Sequence, residues 1–146
     1  MVPEQCKPIA EFPQTQAAHE FAITREGFLA ASSMVENWTG RFGYPDASAH
    51  RLNVILDEHW ANLLRHDAES IAGGTVSIAL KALDPNEFHV RMTSPGQRFD
   101  PVSAPLSDGK APGGQGLRIL REMARKLTYE WNFDQNCLEF TIIVER

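Results

Sequence analysis

The chain has 146 residues, a formal net charge of −5 and 42% apolar residues, which suits one domain with its own hydrophobic core. The acidic balance, with no stripe of Lys and Arg, speaks against direct nucleic-acid binding and against an anionic membrane surface. Two distant cysteines, Cys6 and Cys137, lie outside any CxxC or Cys/His cluster, which argues against a zinc site and a disulfide scaffold.

Residues 1–18 carry three prolines and no periodicity, and read as a mobile lead-in to one domain over 19–146. No apolar leader opens the chain and no stretch reaches membrane-spanning length, so a cytoplasmic protein with reduced thiols is expected. His19 to Ile23 reads as a short strand with Phe21 and Ile23 on one face. Thr24 is placed to cap a helix over Arg25 to about Arg41, which Gly40, Gly43 and Pro45 end. Asp46 or Ser48 can cap the next helix, whose best-defined stretch is Arg51 to His66.

That second helix carries Leu52, Ile55, Leu56, Trp60 and Leu63 at helical spacing, a core-facing stripe. Glu58 and Asn62 are one turn apart at the rim of the stripe. A carboxylate there can orient or deprotonate a nucleophile, and an amide oxygen one turn on can help hold magnesium, a hard cation that takes oxygen ligands. Two solvated polar residues would look the same, so the pair by itself is a weak signal. His59 and His66, on the same helix, read as packing or surface residues, and Trp38, Trp60 and Trp131 as core or near-core.

After Gly73-Gly74 the period changes from helical to alternating. Val76, Ile78 and Leu80 share one face, Phe88, Val90 and Met92 another, and Asp84-Pro85-Asn86 between them is a hairpin turn. Residues 94–114 are rich in Pro, Gly and Ser without a pattern, the composition of a functional lid or of a disordered segment; a lid would lie at about 97–113. Gly113-Gly114-Gln115-Gly116 then opens a predicted helix over Leu117 to Leu127, with Leu117, Leu120, Met123, Ala124 and Leu127 inward. Glycines at a helix start let backbone N–H groups and the positive dipole end approach a phosphate, although a plain hinge has the same composition. A final hairpin pairs Thr128–Phe133 with Cys137–Val144.

This order of elements resembles the GHKL (Bergerat-fold) ATPase superfamily, and more closely its anti-sigma-factor serine/threonine kinases. Asp57-Glu58-His59-Trp60-Ala61-Asn62 is similar to the family's N box. Gly96 with Phe99-Asp100-Pro101 resembles the later part of its adenine-side box, and Gly113-Gly114-Gln115-Gly116-Leu117 its second glycine box. The resemblance implies a two-layer α/β (α+β) sandwich, with helices on one face of a mixed, mostly antiparallel sheet. It implies ATP and Mg2+ as ligands, with Glu58 as general base and Asn62 as the magnesium ligand. The phosphates would lie on the amides from Gly114 to Leu117, behind Gly113, with Lys110 as an added charge that no motif supports. The family box begins Asp-x-Gly and uses its Asp to accept a hydrogen bond from the adenine amino group; Ser94 stands at that place beside Gly96, and Arg98 follows. Loss of a charge-assisted bond costs about 1–3 kcal/mol, or about 5- to 150-fold in affinity.

Two functions are therefore expected from the resemblance. One is an ATP-dependent serine kinase that binds a sigma factor or similar partner and phosphorylates an antagonist protein. The other is a non-catalytic protein-binding module with weak or no ATP binding. Family members are often homodimers, which extends the expectation to self-association.

Overall fold

The computed structural model describes residues 16–66, 73–96, 118, 120–122, 124–132 and 134–144. The elements run β1 (Gln16–Ala22), α1 (Arg25–Arg41), α2 (Asp46–His66), β2 (Thr75–Asp84), β3 (Glu87–Pro95), β4 (Ala124–Asn132) and β5 (Gln135–Ile143). The strands form one sheet in the order β1-β2-β3-β5-β4. All four pairings are antiparallel. The α+β sandwich expected from the resemblance is present, and its described sheet is wholly antiparallel.

Local chemistry accounts for most of the element bounds. Thr24 is extended (φ −143°, ψ 170°), and its hydroxyl accepts a hydrogen bond from Gly27 N at 3.0 Å, so the capped helix begins at Arg25 as predicted. Gly27 lies where α1 crosses the end of β1, and a Cβ there would fall 1.8 Å from the carbonyl oxygen of Ala22. Only glycine fits that crossing. The start of α2 differs from expectation: Asp46 and Ser48 both lie inside the helix, which begins directly after Pro45. Asp46 instead places a carboxylate in the first turn, where the dipole favours it.

The strands also run longer than the alternation alone marked. β1 starts at Gln16, inside the predicted lead-in, because residues 16–22 pair continuously with 75–81 of β2. β2 and β3 meet at a turn where Asn86 N donates to Asp84 Oδ1 at 2.7 Å. The largest correction concerns residues 124–127. Ala124 and Leu127 fit a helical stripe, yet the described helix covers only Arg118 and 120–122, and Ala124 already pairs with Ile142. Pairing with β5 overrides the local period. The join is irregular: β4 carries a bulge between Arg125 and Thr128, and Lys126 has φ 55°.

One face of the sheet and both helices close a single core. Val76, Ile78, Leu80, Phe88, Val90, Met92, Phe140 and Ile142 come from the sheet; Ala31, Val35, Trp38, Leu52, Ile55, Leu56, Trp60 and Leu63 come from the helices. Leu120, just before β4, is buried in it at 3% exposure. At one end, Phe88 meets Trp38 and Tyr44 with ring centroids 5.5 and 5.0 Å apart. The Tyr44 hydroxyl donates to the carbonyl oxygens of Asp84 and Glu87, at 2.8 and 3.0 Å, and so ties the aromatic cluster to the β2–β3 turn. At the other end, Trp60 Nε1 donates to Ala22 O at 3.2 Å and fixes α2 against the end of β1. Trp38 and Trp60 are core, as expected; Trp131 is half-buried on β4. The opposite face of the sheet is polar, with His89 Nε2 2.5 Å from Glu139 Oε1 across β3 and β5.

No helix among the described residues is long and apolar enough to cross a membrane. Cys137 is buried, forms no disulfide among the described residues, and its sulfur accepts a hydrogen bond from Thr93 Oγ1 at 3.8 Å.

Candidate functional site

α2 brings the predicted polar pair into place. Its apolar stripe is buried, with Leu52, Leu56 and Trp60 at 0, 0 and 3% exposure. Glu58 and Asn62 stand beside that stripe, both half-buried. They are four residues apart in a continuous helix, so they share one side of it. The side chain of Asn62 has no hydrogen-bond partner among the described residues, which leaves its amide oxygen available to a cation. Among the described residues no group of three His, Cys, Asp or Glu is arranged to hold a metal by itself. A magnesium ion at Asn62 would therefore need further oxygen ligands, of the kind a phosphate supplies.

β3 supplies the facing wall. Phe88, Val90, Met92 and Ser94 alternate toward the helices, and Ser94 is 1% exposed. Gly96 follows directly with φ 117°, a backbone conformation that a side chain would strain. The chain can leave the strand sharply there because residue 96 is glycine.

The two walls are joined by a contact absent from the sequence-based expectations. His59, between Glu58 and Asn62 on α2, places Nε2 3.1 Å from Ser94 Oγ. Ser94 therefore does not stand at the strand end as a free acceptor. Its hydroxyl is satisfied by the helix that carries Glu58 and Asn62. From the sequence His59 reads as a packing or surface residue; its proximity to Ser94 depends on the register of α2 over β3, two segments 35 residues apart. The other predicted positions, Lys110, Gly113, Gly114, Gly116 and Leu117, lie outside the described residues, as does the lid at about 97–113.

Burial pushes the His59 pKa from its ordinary 6.5 down to about 4. The ring is neutral at pH 7 and exchanges one hydrogen bond with Ser94. Acid should therefore destabilise the fold through this residue. The unfolded chain takes up the proton at the ordinary pKa, whereas the folded ring stays neutral until about 4. Stability is lost as pH falls from about 6.5 to about 4 and then levels off, with about 2 kcal/mol gone by about pH 5. Urea titrations at a series of pH values, on the wild type and His59→Phe, measure this as the difference between the two slopes. Parallel curves would show that His59 is not buried neutral.

Residues 24–142 match the family model described as the histidine kinase-like ATPase domain. A search of the curated proteins found no match. Among solved structures, the chain is similar to the RsbU and RsbW domains of Rv1364c from Mycobacterium tuberculosis, with a TM-score of 0.63 at 10% identity, over 92% of this chain and 34% of that one. It thus spans about a third of that protein's solved chain. It is also similar to a chain of the SiaB–SiaC complex from Pseudomonas aeruginosa, with a TM-score of 0.59 at 14% identity, over 90% of this chain and 92% of that one. Identities this low speak to the fold, which agrees with the sheet order and helix placement above. With the family model covering both helices and all of β2, β3 and β4, the chain belongs to the histidine kinase-like ATPase domain family.

Proposed function

We propose that the protein is an ATP-binding regulatory serine/threonine kinase of the anti-sigma type, which controls a partner protein by binding and by phosphorylating an antagonist. The observation that carries this reading is the pair Glu58 and Asn62 on one side of α2, beside the end of β3, in a chain of the ATPase family. In this reading Glu58 accepts the proton of the acceptor serine, and Asn62 contributes an oxygen to Mg2+ bound with the nucleotide. Gly113, Gly114, Gly116 and Leu117 cradle the phosphates with backbone N–H groups, Lys110 adds positive charge near them, and Ser94 and Gly96 border the base. The SiaB–SiaC structure is a complex of two proteins, and this supports a protein partner for a chain of similar fold. The partner would be a sigma factor or antagonist-like protein in the cytoplasm, and the kinase itself a homodimer.

One observation favours a second reading, a non-catalytic protein-binding module on the same fold. Ser94 replaces the family carboxylate, is 1% exposed and is already bonded to His59. Calorimetric titration with Mg-ATP separates the two. Micromolar binding that weakens about tenfold or more in Asn62→Ala is expected for the kinase. Absence of heat at millimolar Mg-ATP would leave the binding module as the function.

A further inference from the structure

The contact between His59 and Ser94 joins two groups that can each donate or accept a hydrogen bond. A carboxylate at residue 94 could only accept hydrogen bonds, and so would select the 6-amino group of adenine. The pair present here is neutral and has no fixed polarity. When Nε2 accepts the Ser94 proton, Nδ1 carries the hydrogen and is a donor. When Nε2–H donates to Ser94 Oγ, Nδ1 is an acceptor. The serine hydroxyl can rotate to donate to Nε2 or to accept from it.

Exposure decides which atom meets a ligand. Ser94 is 1% exposed, whereas His59 keeps some exposure even though its surroundings desolvate the ring enough to lower its pKa. Nε2 is occupied by Ser94, and the rest of the ring has no hydrogen-bond partner among the described residues. A base at this end of β3 reaches the imidazole before the hydroxyl.

We infer that His59 is the specificity-determining residue for the nucleobase, with Ser94 backing its tautomer, so that the site takes adenine and guanine nucleotides with comparable affinity. This rests on the nucleotide-binding reading above and names its substrate class as purine nucleoside triphosphates. Adenine donates its 6-amino hydrogen to Nδ1 of the Nε2–H tautomer. Guanine accepts at its 6-oxo oxygen from Nδ1–H of the other tautomer. The depressed basicity of the ring agrees with this, since a protonated imidazole would be donor-only and would exclude adenine.

The test is titration of the wild-type protein with Mg-ATP and Mg-GTP, followed by nitrogen NMR of the imidazole in each complex. The expected affinities agree within about tenfold, and the two complexes show opposite His59 tautomers. His59→Phe keeps the ring volume and should weaken both nucleotides by about fivefold or more, with its thermal transition measured to establish folding. A preference for ATP of more than about 100-fold, or one tautomer in both complexes, overturns the inference while leaving ATP binding intact. Binding of neither nucleotide overturns the nucleotide reading and the inference with it.

Discussion

Glu58→Ala is expected to lower phosphoryl transfer from ATP by about 10²–10⁴-fold, the contribution of a positioned general base. Glu58 is half-buried on α2, one turn from Asn62 and next to His59, whose contact with Ser94 fixes the helix over the end of β3. A carboxylate held there can take a proton from a hydroxyl brought to the terminal phosphate. Alanine keeps the helix, because it is the best helix former and the buried stripe of Leu52, Leu56 and Trp60 is untouched. The loss should therefore fall on the rate at saturating Mg-ATP and spare nucleotide affinity. Phosphate release from Mg-ATP, with water as acceptor, reads the rate without a protein substrate; calorimetry reads the affinity. A Glu58→Ala protein that turns over ATP like the wild type would remove Glu58 from the chemistry.

Phe88→Ala should cost about 3–5 kcal/mol of folding stability. Phe88 is fully buried and joins Trp38 and Tyr44 in one aromatic cluster. Those neighbours are themselves held in place. Trp38 sits on α1, and the Tyr44 hydroxyl is fixed by two carbonyl oxygens at the β2–β3 turn. The site cannot collapse around the missing ring, so the cavity cost adds to the lost transfer free energy. A drop in the thermal midpoint of about 10 °C or more is expected in calorimetry. A drop of only a degree or two would mean that the cluster repacks freely.

How much of this the sequence disclosed depended on whether the cause was local. The start of α1 was legible because a cap needs only Thr24 and the N–H groups just after it. β2 and β3 were legible in their alternation, since Val76, Ile78, Leu80, Phe88, Val90 and Met92 all face the core. Residues 124–127 depart from their sequence pattern for the opposite reason. Their helical period is real, but a partner strand ten or more residues away decides their conformation. The positions of Glu58 and Asn62 on one side of α2 followed from spacing. The role of His59 did not, because nothing within its own helix points to Ser94 on β3.

The irregular start of β4 bears on how the molecule behaves in crowded solution. β1 and β4 are the two ends of the described sheet. β1 pairs with its neighbour through seven residues in unbroken register. β4 has no such regular backbone, since the bulge and the left-handed Lys126 interrupt it, and Arg125, Lys126 and Thr128 are all exposed there. A strand from another molecule laid along β4 would lose its hydrogen bonds at the bulge and meet two positive charges. Growth of a fibril by strand addition is thus impeded at this end of the sheet by backbone geometry and charge.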